Sequence, residues 1–311
     1  MMKTFVIIVT YNGMPWIKRC LESCDKYSTV VIDNDSNDET VAFVKKQFPE
    51  VKVLVQDKNL GFGQANNLGI SYALKKGAEH VFLLNQDAYL FPDTIEVLLD
   101  FQKRNPLYWV LSPLHVQGDE KRLDRKFSNY MSFDKNPDFY SDFVLGNTLK
   151  EVYPVPFVNA AAWLLSKKCL ATVGGFDPIF YHYCEDDNYC QRVLYHGGNV
   201  GVVPTTKVIH DRENRKSQLI KPFSEAYYSN KVRQFKYIHA NVNSFNEAGL
   251  NRKLEFYKKL LIKAILKGSL SQFVYLKQEL KLIKQAKLEI VESVRKNRTK
   301  GFTYLSFSEN K

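Results

Sequence analysis

Val81-Phe82-Leu83-Leu84-Asn85-Gln86-Asp87 decides how the rest of the chain is read. Four apolar residues in a row, closed by polar ones, suit a short strand buried on both faces. The run ends on a carboxylate, so Asp87 is held rigidly just past a buried strand. A strand-ending Asp is more often a helix cap or a turn residue. The functional reading is a ligand for a divalent cation.

Outward from that strand, the first hundred residues alternate in type. Thr4–Val9 is a β-branched run that stops at the turn signal Tyr11-Asn12-Gly13. A helix follows over 16–24. Val30-Val31-Ile32 forms a strand closed by Asp33. A helix with early acids runs from Asp38 to about Gln47. Val51–Val55 is a strand, 59–63 a glycine-rich loop, 66–75 a helix, and Pro92-Asp93-Thr94 opens another. This βα alternation predicts a mostly parallel sheet with helices on both faces. Ligands of such sheets sit at the carboxyl ends of the strands, where the polar residues Tyr11, Asn12, Asp33 and Asp87 stand. Residues 115–155 are less regular and read as an excursion on the substrate side. Val158–Ser166 resumes a strand, 185–195 a helix, and strand-like segments lie near 201–203 and 205–209. Pro222 marks a boundary, which predicts domains of 1–221 and 222–311, the second helical.

Length and an apolar content of 45% allow a sizeable core. Phe5–Val9 is too short for a secretory h-region, and no apolar stretch approaches the roughly 20 residues of a spanning helix. The five cysteines are odd in number and lack zinc-knuckle spacing, which predicts buried free thiols. The net charge is +11, and residues 252–300 hold 14 Lys or Arg against 4 Glu. The basic character therefore belongs to the tail.

Three further features carry chemistry. Gly61-Phe62-Gly63-Gln64-Ala65-Asn66 superficially matches a dinucleotide fingerprint, but it ends in Asn and follows the third strand, so no Rossmann cofactor site is expected. Glu185-Asp186-Asp187 sets three acids in a row after the aromatic run Phe180-Tyr181-His182-Tyr183. Mutual repulsion raises a carboxylate pKa, as a general base requires, and the same acids equally suit the first turn of a helix. His210, after a strand-like run, is either a third-site metal ligand or a partly exposed polar residue.

In order along some 210 residues, these pieces resemble the family-2 inverting glycosyltransferases, and especially their rhamnosyltransferase-like branch. The matching segments are Val6 to Gly13, Val30 to Asp38, Asn59 to Gly69, Leu83 to Ala88, Gly174-Gly175-Phe176-Asp177, Glu185-Asp186 and His210. The resemblance implies an α/β GT-A fold, a mostly parallel mixed sheet flanked by helices, with a C-terminal helical extension. It implies transfer of a sugar from a nucleotide diphosphate, dTDP-rhamnose or a UDP-sugar, with inversion. The acceptor it implies is a saccharide or a polyprenyl-linked saccharide in bacterial surface polysaccharide synthesis. Thr10, Tyr11, Asn12, Asp33, Asn66, Asn67, Asn85, Gln86 and Asp87 are then expected to shape the nucleotide-sugar site, with Asp33 reading the base. Asp87 and His210 are expected to hold Mn2+ or Mg2+. Asp186 is the expected base with Glu185 beside it, and Phe180, Tyr181 and Tyr183 are expected to border the acceptor. Two positions depart from the family pattern: Asn188 replaces an acid, and Asn85 replaces the first acid of Asp-x-Asp, which puts weight on His210.

The tail places lysines 258, 259, 263 and 267 beside Tyr257, Leu261, Ala264 and Ile265. A second stripe joins Phe273, Leu276, Leu280, Ile283, Ile290 and Val294. Such basic amphipathic helices suit an anionic membrane surface, or a helical subdomain with its stripe packed. The expected location is cytoplasmic and peripheral, on the inner face of the membrane, with homo-oligomerisation left open. Two rival readings are a nucleotide-sugar-binding protein without catalysis, suggested by Asn85 and Asn188, and a nucleic-acid-binding protein using the tail. The second leaves the acidic motifs unexplained, so no nucleic-acid partner is expected.

Overall fold

The computed structural model describes residues 3–212 and 219–307. The chain divides into two compact units, Met1–Arg215 with Lys300–Lys311, and Lys216–Thr299.

The first unit is built on one mixed sheet. Its strands are β1 (Thr4–Thr10), β2 (Ser28–Asp33), β3 (Lys52–Val55), β4 (His80–Asn85), β5 (Ala88–Leu90), β6 (Tyr108–Val116), β7 (Tyr153–Pro154), β8 (Ala162–Ser166) and β9 (Asn199–His210). The order is β3-β2-β1-β4-β8-β6-β9-β5, with β7 on β9. The β3-β2-β1-β4 half is parallel, β8 runs antiparallel to β4 and β6, and β6 is parallel to β9. Helices α1 (Ile17–Glu22), α2 (Thr40–Gln47), α3 (Phe62–Lys75), α4 (Thr94–Arg104), α5 (Arg125–Tyr130), α6 (Pro137–Leu145), α7 (Lys167–Val173) and α8 (Glu185–Tyr195) complete it.

The period-2 alternation of each central strand feeds two cores. Phe5 and Ile7, with Val30, Ile32, Val81 and Leu83, face the cluster that holds Ile70, Trp163 and Phe176. Val6 and Ile8, with Val31, Phe82 and Leu84, face the other, with Ile17, Ile95 and Leu98. A strand with both faces buried reads as a continuous apolar run, which is why Val81–Leu84 is legible. Helix α3 lies so close that a Cβ on Gly69 would stand 2.5 Å from Ile7 Cγ2. Four cysteines are buried and Cys184 is half-buried, all with free thiols.

Strands β5 and β6 were not anticipated, and β9 is one strand where two segments were expected. Pro113 accounts for β6, and Pro204 for the apparent break in β9. Proline cannot donate to a ladder, so it marks a strand interior only at a bulge. The β6–β9 register steps from Pro113↔Val203 to Leu114↔Lys207, leaving 204–206 as the bulged segment.

The second unit is helical, with α9 (Glu225–His239), α10 (Glu247–Leu266) and α11 (Leu270–Asn297). Ser224 and Asn246 cap α9 and α10, accepting from the backbone of Tyr227 and Gly249. Helix α11 packs on both others, and Lys231 and Lys236 pair with Glu279 and Glu289. Leu280, Ile283, Ile290 and Val294 of the second stripe are buried. Ile265 of the first stripe is 57% exposed, because α11 covers the Leu254 and Ala264 side of α10 and not the side of Ile265. Among the described residues, no helix is long and apolar enough to cross a membrane.

Candidate active site

The parallel strands β1, β2 and β4 end at one edge of the sheet, with Thr10 opposite Asp33 and Val9 opposite Asn85. The loops leaving these ends are pinned to one another. Gln86 accepts from the Thr10 hydroxyl at 2.7 Å and from the Tyr11 N–H at 2.9 Å, and donates to the Tyr11 carbonyl at 3.2 Å. Asn12, at φ 49°, donates its N–H to Ser36 Oγ and accepts from Asn37 N–H through Oδ1. Thr10, Asn12 and Gln86 therefore shape the site by fixing its loops. Gly13 permits this closure, since a Cβ there would sit 2.2 Å from Thr10 Oγ1.

Asp33 is buried inside this frame. Its Oδ2 accepts from Ser36 N–H at 3.1 Å, while Oδ1 accepts from no described residue. A buried carboxylate oxygen without a donor is costly, and a ligand N–H would relieve it. Asn85 Oδ1 is likewise buried without a described donor.

Asp87 and His210 are brought together by topology. Ala88 pairs with His210 in the antiparallel β5–β9 ladder, so Asp87 lies next to the end of β9. His210 Nε2 stands 3.6 Å from Asp87 Oδ1, and both side chains are 1% exposed. Neither ring nitrogen of His210 makes a hydrogen bond among the described residues. The gap is too long for a hydrogen bond and suits two ligands each about 2.1 Å from one cation. Among the described residues, no cluster of three His, Cys, Asp or Glu is arranged to hold a metal. The pair fits a cation that takes its other ligands from a diphosphate and water, as Mg2+ commonly does.

Behind His210 stand residues that sequence reasoning missed. Asp124 Oδ2 lies 3.9 Å from His210 Nδ1. Asp124 also accepts two hydrogen bonds from Arg212, one from Nε at 2.7 Å, and one from the Phe127 N–H at 2.8 Å, which caps α5. Burial alone would raise the Asp124 carboxyl, but the bonds from Arg212 and Phe127 outweigh it and hold it below the usual range. His115 stacks on Phe127 and meets the His210 ring edge-on at 5.8 Å. Burial, then the neighbouring His210, keep His115 far below its ordinary pKa, so it stays neutral. The one local signal for this group was Asp124 three residues before Phe127, a cap spacing.

The acid cluster opens α8 as expected. The preceding Tyr183 and Cys184 both adopt left-handed backbone, φ 69° and 72°, a strained entry of the kind that collects at functional sites. Asp186 is half-buried and accepts from the N–H groups of Asp187 and Ala160 at 3.0 and 3.4 Å. Burial raises its pKa. Burial and then Asp186 push Asp187 up to about 7. The Tyr130 hydroxyl, raised chiefly by burial, feels Asp186 and Asp187 together with Arg212 and Asp124. The acid cluster and the His210 surroundings thus share one locality. Glu185 is buried close to α3, its Cβ 3.5 Å from where a Gly63 Cβ would stand.

Two other expectations need correction. Phe180 is only 2% exposed, its side chain folded into the protein interior, whereas Tyr181 and Tyr183 are 57% and 53% exposed. Tyr181 also donates to the Asn59 carbonyl at 3.1 Å. Asn67 spends both ends of its amide on the Phe176 backbone, donating at 2.8 Å and accepting at 2.7 Å, and thereby ties α3 to the loop before α8. Asn66 donates to Phe62 O within the first turn of α3. Both asparagines are positioning residues.

Comparison with known proteins identifies the family and the fold. The sequence model described as Glycosyl transferase family 2 matches residues 5–173. The chain is 27% identical over 238 residues to N-acetylglucosaminyl-diphospho-decaprenol L-rhamnosyltransferase of Mycobacterium tuberculosis, covering 67% of this chain and 75% of that protein. It is 23% identical over 251 residues to rhamnosyltransferase WbbL of Escherichia coli, covering 75% and 92%. Among solved structures, S. aureus TarS 1-349 with UDP-GlcNAc is similar at a TM-score of 0.54 and 17% identity, over 96% of this chain and 90% of that one. GalNAc-T7 with UDP, GalNAc and Mn2+ is similar at 0.54 and 18%, over 77% of this chain and 50% of that one. Those two are likenesses of fold, and the fold is GT-A. The chain belongs to glycosyl transferase family 2.

Proposed function

We propose that the chain transfers a sugar from a nucleotide diphosphate to an acceptor hydroxyl in one in-line displacement, with inversion. The observation that carries this reading is the buried Asp87–His210 pair at the strand ends, 3.6 Å apart with no hydrogen bond on either ring nitrogen among the described residues. Asp33 binds the base through the unsatisfied Oδ1, and the pinned loops around Thr10, Tyr11 and Gln86 orient the nucleoside. Asp87 and His210 hold Mg2+ or Mn2+, which supplies neutralising charge for the departing diphosphate. Asp186 accepts the proton of the attacking hydroxyl, and its raised pKa makes it a better base than an exposed carboxylate. Glu185, buried beside Gly63 of α3, stands next to that base at the start of α8. Tyr181 and Tyr183 border the acceptor.

The rhamnosyltransferases of M. tuberculosis and E. coli support a rhamnosyl donor, and similarity to dTDP-rhamnosyl transferase RfbF of Shigella flexneri supports dTDP-rhamnose as the first to try, with UDP-sugars next. The mycobacterial relative, an N-acetylglucosaminyl-diphospho-decaprenol rhamnosyltransferase, supports a polyprenyl diphosphate-linked saccharide as acceptor. An acceptor of that kind lies in a membrane, and the basic helical unit suits peripheral attachment to its cytoplasmic face.

A thermal-shift panel of nucleotide sugars with manganese tests the reading, because a ligand specific for the native state raises Tm by mass action. One nucleotide sugar is expected to raise Tm, the rise shrinking with excess chelator, and that donor is expected to support transfer. Absence of any shift across dTDP- and UDP-sugars, with no transfer, would overturn it.

A further inference from the structure

We infer that the turn joining α10 to α11 is the part of the chain that enters an anionic bilayer. This rests on the peripheral attachment proposed above and names the element responsible. Helix α10 ends at Leu266, Gly268 turns at φ 62°, and α11 begins at Leu270. Ile262, Ile265 and Leu266 are 57%, 57% and 81% exposed, and Leu270 and Val274 are 75% and 53% exposed. The spacings i, i+3, i+4 on α10 and i, i+4 on α11 put each set on one face. All five lie within about two helical turns of Gly268, so the aliphatic surface is gathered at one end of the hairpin.

Charge says what covers it. From Phe256 to Gln278 there is no acid, and five lysines are present, at 258, 259, 263, 267 and 277. Among the described residues, only Lys258 of the five pairs with a carboxylate within one turn, Glu255 at 2.6 Å. Lysine is depleted from the cores of protein–protein interfaces, whereas an aliphatic tip ringed by lysine matches acyl chains beneath phosphate headgroups. Neither helix can span the bilayer. The hairpin therefore dips in at its end and leaves its shaft outside.

Flotation of the full chain with vesicles of phosphatidylglycerol and phosphatidylcholine tests this. The native chain is expected to float at low salt and to float less as salt rises. L266D/L270D is expected to bind about a hundredfold more weakly, roughly tenfold for each leucine. K263E/K267E is expected to lose the salt-sensitive part of binding. L288D, at a leucine 72% exposed and about 27 Å along α11 from Leu270, is expected to float like the native chain. Circular dichroism verifies that each variant folds. If the native chain floats and L266D/L270D floats equally, the tip is wrong while peripheral attachment stands. If the folded native chain does not float at low salt, both fall. If L266D/L270D instead converts a native oligomer to monomers with no flotation by either, the surface serves self-association and the inference is overturned.

Discussion

Replacing Asp124 by Asn removes a charge and keeps the shape. The carboxylate accepts two hydrogen bonds from Arg212 and one from Phe127 N–H, and lies 3.9 Å from His210 Nδ1. Asn still caps α5, since its Oδ1 accepts as well as Asp does. Its NH2 group, however, opposes the Arg212 guanidinium, donor against donor. A hydrogen bond to a charged group is worth about 1.5–3 kcal/mol, and Arg212 is 17% exposed, so the lower part of that range applies. The expected loss of stability is about 1.5–2 kcal/mol. His210 loses the carboxylate that favours a proton on Nδ1 and leaves Nε2 as the lone pair facing Asp87. Removal of such an outer partner costs about 10–100-fold in metal affinity. Calorimetric titration of Mn2+ in the presence of a nucleoside diphosphate, well below the variant's Tm, reads this directly. D124A, which also loses the cap, is expected to unfold about 1 kcal/mol more easily than D124N with a similar loss of metal affinity. A D124N chain that is destabilised yet binds Mn2+ like the native protein would refute the orienting role of Asp124.

Other outcomes follow from the same contacts. N67L orphans the buried N–H and carbonyl of Phe176, at about 1–3 kcal/mol each, so the denaturant midpoint is expected to fall steeply, with N67D intermediate because it still accepts from the N–H. Asp187 is raised to about 7 by burial and by Asp186. The native state therefore holds a proton that the unfolded chain releases near pH 4, and stability contributed by this group is lost as pH rises from about 4 to 7. D187N is expected to flatten that decline and to move the acidic limb of the kcat/KM profile to lower pH, since Asp186 then ionises without a charged neighbour; an unmoved limb would separate Asp187 from the base.

What the sequence made legible was continuous and local. Val81–Leu84 and Val6–Ile8 are buried on both faces and read as strands without context, and the helix expected over about 185–195 spans Glu185–Tyr195. Asp33, Asp87 and His210 were singled out because they stand at or just past strand ends. Asp124 and Arg212 were not, because their meaning is the distance between two loops, which no spacing records. Pro113 and Pro204 hid β6 and the continuity of β9, since a bulge that tolerates proline is visible only in the register. Asn67 sits in a matching motif and Phe180 in the aromatic run before the acids, yet both face inward, where packing rather than residue type decides their task. In the tail, residue type gave the stripe, while the exposure of Ile265 depended on where α11 lies.

The transfer rate of D186N, measured with saturating donor, Mn2+ and acceptor, tests the central claim most directly. Donor binding by thermal shift is expected to match the native chain, and transfer is expected to fall by about 10²–10⁴-fold, the usual contribution of one positioned base. Near-native turnover by D186N with intact donor binding would contradict the assignment of Asp186 and the single-displacement mechanism built on it.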